Sequence, residues 1–387
     1  MIILEKPYVS DLLAGTAEEL GVPVLENAVS RRIAETRSIN IVGGAEFIAL
    51  MKGTPRPPLY SNSEDAIGWM EKNLGFLDLP DKIGLCKDKV RFRKMLEGEY
   101  PDLFYAGVEA GRLDSIDVTK IGKPFIIKPA VGFFSLAVYK VASDGEWPDV
   151  LAKIRRDIER VRGMYPEEVL GTGRFIIEGN IPGEEFAVDL YYDGSGEPVI
   201  LNILHHIFAS KYDMSDRTYV TSSDIIRKYS GLFQEHLARF GALAGLRKMP
   251  MHIEFRVDGG RVVPIEANPM RFAAWCTTDI AWHAWGINTV EYFLRGLRPD
   301  WESIFRGREG KVYPLVVACV PDEIELGGVR GIDYERFEAN FRKPLSVRKI
   351  DYMKYRTFAF VFSETDEDNR GEIERMLKAD LGEYIIL

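Results

Sequence analysis

The sequence is poor in the features that mark several common protein classes. Its 387 residues include three cysteines. Cys86, Cys276 and Cys319 lie far apart with no CxxC spacing, which argues against a disulfide framework and leaves reduced, mostly buried thiols of a cytoplasmic protein as the expectation. No apolar run approaches the ~20 residues of a membrane helix. Met1–Pro7 is too short and wrongly flanked for a signal peptide, so no membrane partner is expected. Lys and Arg number 50 against 59 Asp and Glu, a formal charge of −9. No polybasic run is present, and phosphate neutralisation along a nucleic acid needs clustered cations, so a nucleic-acid partner is not expected either. There is no low-complexity tract and no repeat with a 20–50-residue period. Gly43-Gly44 lacks the GxGxxG spacing of a dinucleotide loop.

What is present describes a folded chain of two or three units: 46% hydrophobic, 28% charged and 11% aromatic residues. Over the first ~85 residues short β-rich runs (Ile2–Leu4, Val22–Leu25, Ile39–Val42, Leu59–Tyr60) alternate with helical ones capped at Ser10 or Asp11 and at Ser63, the pattern of a mainly parallel α/β sheet. The middle reads as runs of strands with helices between, hence α+β. Asp88 caps a helix over Lys89–Leu96, and the spacing of Trp147, Leu151, Ile154, Ile158 and Val161 predicts an amphipathic helix. Strands follow at Phe175–Glu178, Glu185–Tyr192 and Pro198–Phe208, a helix over Asp224–Ala244, then a hairpin of His252–Val257 and Arg261–Ala267 across Asp258-Gly259-Gly260. Strands at Val312–Val320, Phe358–Phe362 and Ile385–Leu387, with helices at Asp333–Asn340 and Asn369–Leu381, suggest a small C-terminal α/β unit.

The hairpin carries the most informative chemistry. It sets Glu254 and Glu266 at one level on neighbouring strands, and Asn268, two residues past Glu266, projects from the same face. Two carboxylates and an amide oxygen suit Mg²⁺, a hard cation that bridges phosphates; the alternative is an acidic solvent face. A second stretch ends an apolar strand in Lys128-Pro129, followed by a turn whose backbone N–H groups and Ser135 can lie over phosphates; alone, Lys128 also reads as an ordinary strand-end lysine. A third runs from Glu178 through Gly183 to Glu185, where acceptors can read an adenine amino group and ribose hydroxyls, or simply form a linker. The His205-His206 pair lacks a second ligand pair at zinc spacing.

In this order the stretches resemble the ATP-grasp superfamily over Lys89 to Arg271, preceded by a unit resembling its pre-ATP-grasp domain. The resemblance rests on Lys89, on Lys128-Pro129 with the loop to Ser135, on Glu178 seven residues before Glu185, and on Glu254 with Glu266-x-Asn268. It implies an ATP-grasp fold, α/β and α+β, divided at 1–88, 89–310 and 311–387. It implies ATP as ligand, with Lys89 and Lys128 on the phosphates, Glu178 and the backbone of Gly179, Asn180 and Ile181 near the adenine, and Glu185 on the ribose. Glu254, Glu266 and Asn268 would hold Mg²⁺, or Mn²⁺ in its place. The implied reaction phosphorylates a small-molecule carboxylate and lets an amine attack the acyl phosphate.

Arg271 would hold the acyl-phosphate oxygens, and His252 would contact the γ-phosphate or serve structure. The polar segment from His205 to Tyr219 would form a loop lining the acceptor pocket, with Arg217 pairing a substrate carboxylate; an exposed loop is the other reading. Trp275, Trp282 and Trp285, with His283, read as core packing or a subunit contact, and a homodimer is among the allowed assemblies. Three positions depart from the family pattern. Phe134 and Ala137 replace loop glycines, and Met270 stands where the family places an arginine. The His252-x-Glu254 pattern looks closer to L-amino-acid ligases than to D-alanine–D-alanine ligases. A kinase, a carboxylase and a non-catalytic ATP-binding regulator are the alternatives to a ligase.

Overall fold

The computed structural model describes residues 1–132, 137–161, 171–210 and 215–387. The first element group is a four-stranded parallel sheet, β1 (Ile2–Ile3), β2 (Val24–Leu25), β3 (Ile41–Val42) and β4 (Tyr60–Ser61), in the order β3-β2-β1-β4. Helices α1 (Asp11–Leu20), α2 (Ala28–Ala34), α3 (Gly44–Gly53) and α4 (Ile67–Asn73) alternate with and follow these strands. The Ser10 hydroxyl caps α1 by accepting the Leu13 N–H, as its position ahead of the helix predicts. Gly43 is the N-cap of α3, not part of a nucleotide loop. Helices α5 (Leu79–Lys87) and α6 (Lys89–Leu96) follow, joined at Asp88, whose carboxylate accepts the Val90 and Arg91 N–H groups.

A second sheet, antiparallel, contains β5 (Tyr105–Glu109), β6 (Phe125–Val131), β7 (Tyr139–Val141) and β8 (Gly171–Gly179) in the order β5-β8-β6-β7. Helix α7 (Trp147–Val161) lies between β7 and β8 in sequence, and its Trp147, Leu151 and Ile154 pack with Phe125, Ile127, Phe175 and Ile177 in one apolar cluster.

The third and largest sheet contains β9 (Glu184–Tyr192), β10 (Pro198–Ile207), β11 (Thr218–Ser222), β12 (Met249–Asp258), β13 (Arg261–Pro269) and β14 (Lys311–Cys319). After the short β15 (Gly331–Ile332) come β16 (Pro344–Lys349), β17 (Thr357–Ser363), β18 (Thr365–Asp366) and β19 (Ile385–Ile386). The order is β13-β12-β9-β10-β11-β14-β17-β16, with β18 also on β14, while β15 pairs β19 apart. The fold is thus mixed α/β, as expected. Two details differ from the sequence expectation. Thr218 and Tyr219 open β11, so the stretch from His205 to Tyr219 is not simply a loop; His205 and His206 lie in β10, within the strand expected at Pro198–Phe208, and Lys211–Met214 lie outside the described residues. The strand expected to open a separate C-terminal unit, β14, pairs with β11 over Val312–Val316, so the large sheet runs across residue 311. A polar, aromatic sequence hid the first strand, and cross-strand pairing between distant residues decided the second.

Helix α8 (Ser223–Ala244) covers one face of this sheet with Ile226, Phe233, Leu237, Phe240 and Ala244, a 3–4-residue stripe of buried side chains. Phe233 stacks on Phe255 of β12 at 4.9 Å between ring centroids. The close approach at Gly241 fixes the helix height, because a Cβ there would lie 2.2 Å from the Tyr192 ring. Tyr192 is fully buried and donates its hydroxyl to the Leu237 carbonyl at 2.8 Å, so its ring cannot yield. Gly241→Ala should therefore cost about 1–3 kcal/mol of stability, read as a lower urea midpoint at unchanged m-value. Among the described residues, no helix is long and apolar enough to cross a membrane.

Candidate active site

The site is assembled on one face of the large sheet. Glu254 and Glu266 are direct cross-strand partners, as are His252 and Asn268. Strand β9 supplies the neighbouring row: Ala187 beside Glu254, Asp189 beside His252 and Glu185 beside Arg256. Side chains two apart on a strand share a face, so Glu185 and Asp189 join the hairpin residues. Opposite this face come Lys89, from the first turn of α6, and Lys128 and Glu178, from β6 and β8 of the second sheet.

The cations are already engaged. Lys128 Nζ lies 2.5 Å from Glu178 Oε1, and Arg93 Nε lies 2.7 Å from Glu178 Oε2. Lys89 Nζ sits 3.3 Å from Glu266 Oε2 and donates to the Gly132 carbonyl at 3.3 Å. Glu185 is held by His206 Nδ1 at 2.8 Å and by Arg256 Nη2 at 2.6 Å. Arg271 places Nη2 at 2.6 Å and Nε at 2.9 Å from Glu64 Oε1, with Nη1 on the Phe272 carbonyl. The other oxygen of Glu64 pairs with Lys87, which also reaches Asn268 Oδ1 at 3.5 Å. His252 Nδ1 bonds Asp189 Oδ1 at 2.8 Å, leaving Nε2 3.7 Å from Glu254 Oε1. Asp189 is fully buried and accepts the Ala273 N–H as well, which fixes the imidazole plane.

Electrostatics divides the carboxylates into two kinds. Burial would raise Glu64 and Glu178, yet Lys87 and Arg271 for the first, and Arg93 and Lys128 for the second, hold each at about 2. Glu266 is likewise held below the ordinary range, against burial, by Lys89, Lys87 and Lys128. Glu254 goes the other way: burial and the charges of Glu266, Glu185 and Asp216 push it well above the usual carboxylate value. Folded-state values below the unfolded ones mean that Glu64 and Glu178 stabilise the protein fully above about pH 4.5, and that this is lost as pH falls toward 2. Each contributes on the order of 3 kcal/mol. Urea midpoints should thus fall steeply between pH 4.5 and 2, and Glu64→Gln should remove its share of that slope; an unchanged slope would contradict the pairing.

The donors Glu254, Glu266 and Asn268 are all oxygen, and Glu254 carries like-charge repulsion that a dication would relieve, so they fit Mg²⁺. Among the described residues, no group of three or more His, Cys, Asp or Glu side chains forms a metal cluster by itself, and the set depends on the Asn268 amide. Of the expected adenine-reading backbone, Gly179 and Asn180 N–H groups are used by the Phe104 and Pro124 carbonyls at 2.9 and 3.2 Å. The Ile181 N–H takes no partner among the described residues, and the residue is half-buried. Ser135 and Phe134 lie outside the described residues. Ala137, one of the two glycine replacements, adopts φ +55°, the left-handed region where a Cβ costs about 1–2 kcal/mol.

Arg217 does not join the site. Its Nη1 donates to the Leu377 and Ala379 carbonyls at 3.0 and 2.8 Å, capping the end of helix Gly371–Lys378. The free carbonyls of a helix C-terminus are good partners for a guanidinium, and they outcompete the substrate role expected for it. Trp285 packs among Trp301, Phe305 and Tyr313, Trp275 against Tyr355 and Phe360, and Trp282 is exposed. Sequence reasoning missed Glu64, Lys87, Arg93, Asp189 and Arg256. Arg93 stands four residues after Lys89 on one helix face and Asp189 four after Glu185 on one strand face, so spacing carried a signal for those two. Glu64 had none.

A family model described as an ATP-grasp domain matches residues 121–279. This segment is an ATP-grasp domain. It runs from just before β6 to the turn after β13, and so contains Lys128, Glu178, Glu185 and the hairpin. L-amino acid ligase from Bacillus licheniformis superposes with a TM-score of 0.67 at 16% identity, covering 100% of this chain and 98% of that one. N5-carboxyaminoimidazole ribonucleotide synthetase from Thermotoga maritima gives 0.64 at 18% identity, with 99% and 98% covered. Biotin carboxylase from Campylobacter jejuni, solved as a β-γ-ATP complex, gives 0.62 at 13%, with 94% and 87% covered. At these identities the likeness is one of fold. A search of curated proteins found no match. Lys89 and Lys87, outside the ATP-grasp segment matched, are brought to its hairpin by the α5–α6 junction.

Proposed function

We propose that the chain is an ATP-dependent ligase joining a carboxylic acid to an amine, with release of ADP and phosphate. One observation carries the reading: Glu254, Glu266 and Asn268 share a sheet face on which Lys89 converges, with Lys128 close enough to act electrostatically on both Glu185 and Glu266. Phosphoryl transfer needs positioning and charge neutralisation more than covalent help, and this arrangement offers both.

In this reading Lys89 and Lys128 turn from their carboxylate partners to the ATP phosphates. Ile181 N–H and Glu178 face the base, and Glu185 takes the ribose. Glu254, Glu266 and Asn268 would hold Mg²⁺, which neutralises phosphate charge when bound. The acid's carboxylate oxygen attacks the γ-phosphorus and ADP leaves, giving an acyl phosphate. The amine then attacks the acyl carbon, phosphate leaves, and the nitrogen gives up its proton. Arg271, set by Glu64 beside Asn268, is placed to hold acyl-phosphate oxygens. His252, whose Nδ1 is fixed by Asp189, directs Nε2 toward the same region.

The test is ADP release measured with mixtures of acids and amines, with products identified by mass. Amine-dependent ADP release with a new amide supports the ligase. A phosphorylated or carboxylated product formed without amine would replace it with the kinase or carboxylase reading, and ATP binding without turnover would favour a regulator.

A further inference from the structure

Two lysines flank Asp88 at the α5–α6 junction, and their spacing matches that of the metal-edge residues. Lys87 and Lys89 are two apart; so are Asn268 and Glu266. Lys89 Nζ lies 3.3 Å from Glu266 Oε2, and Lys87 Nζ lies 3.5 Å from Asn268 Oδ1. Each lysine is only 5% exposed. The junction between them is fixed: Asp88 Oδ1 accepts the Val90 and Arg91 N–H groups at 2.8 and 3.1 Å, and Oδ2 pairs with Arg174 at 3.2 Å. A divalent ion on Glu266 and Asn268 would use the same oxygen atoms, and it would face two ammonium groups at close range.

We propose that Lys87 and Lys89 are resident counter-cations of the Glu266–Asn268 edge, so that the edge takes a divalent ion only together with nucleotide phosphates that draw the lysines away. The proposal rests on the metal assignment given above, and it makes Lys87 a nucleotide-site residue. Without phosphate, the alternatives for Lys89 and Lys87 are the neutral Gly132 carbonyl and the already shared Glu64. Neither compensates for a dication arriving alongside. A triphosphate supplies the missing negative charge, and the two lysines and the metal then surround it.

The experiment measures binding, not turnover, with Mn²⁺ as the probe, titrated by electron paramagnetic resonance with and without a non-hydrolysable ATP analogue. Lys89→Met should tighten binding of Mn²⁺ alone by at least about tenfold, and Lys87→Met by several-fold, since a charge 3–4 Å away is removed. Both should weaken Mn²⁺ binding in the presence of the analogue. The opposite signs are the diagnostic, because a merely structural role would lower both affinities together. If neither variant binds free Mn²⁺ more tightly than wild type, while Glu266→Gln still abolishes the Mn²⁺–analogue complex, the counter-cation proposal falls and the metal site stands. If wild type binds no Mn²⁺ even with the analogue, the metal assignment falls and takes the proposal with it.

Discussion

Glu266→Gln should abolish ligase turnover, by at least about a hundredfold, while leaving the fold intact. The amide keeps the volume and one acceptor oxygen but removes the charge that faces Lys89 at 3.3 Å and the phosphate-bound cation in the proposed complex. Two effects on stability oppose each other. Lys89 loses its carboxylate but retains the Gly132 carbonyl, while Glu254 and Glu64 lose a like-charged neighbour. The melting temperature should consequently move by no more than a few degrees. The required measurements are steady-state ADP release and thermal unfolding on the same preparation. A near-normal rate would remove Glu266 from the site. Lost activity with a collapsed melting temperature would assign it to structure instead.

How much of this was legible in the sequence depended on whether the information was local. The caps at Ser10 and Asp88 lie beside the helices they start, and the structure has both. The hairpin across Asp258-Gly259-Gly260 set the Glu254–Glu266 register, because a short turn leaves few pairings that bury Ile253, Phe255, Val262 and Ala267. Residues contributed from a distance left no such trace. Glu64 meets Arg271 across 207 positions, and Arg217 meets Leu377 across 160. The first is a site residue that no motif announced; the second is a cation whose polar surroundings suggested a ligand and whose actual partner is a helix end. The pairing of Glu254 with Glu266 could be read from their spacing, but the raised pKa of Glu254 could not. That depends on burial first, then on Glu266 and on Glu185 and Asp216, residues brought near it by the fold.

The largest expected loss of stability lies at Arg93, which is 2% exposed and ties three elements together. From α6 its Nε reaches Glu178 of β8 at 2.7 Å and its Nη1 the Pro264 carbonyl of β13 at 2.5 Å. It therefore spans the second sheet and the β12–β13 hairpin, two residues from Glu266. Arg93→Met keeps an unbranched apolar stem and deletes the charge. It leaves the buried Glu178 carboxylate with Lys128 alone and strips the Pro264 carbonyl of its donor. Removing one partner of a buried pair costs about 3–5 kcal/mol, far more than the pair is worth against an apolar replacement. Arg93 Nη2, buried without a partner, shows that the cluster is not optimised for stability; this lowers its net worth without lowering the cost of breaking it. The urea midpoint of Arg93→Met should fall accordingly, and ATP affinity with it, because Glu178 and Lys128 lose their fixed geometry. A double-mutant cycle separates charge from packing. Adding Glu178→Gln to Arg93→Met should recover more than about 1 kcal/mol, since the uncompensated carboxylate is then gone. If the two losses simply add, the stabilising role of Arg93 is packing and not its ion pair with Glu178.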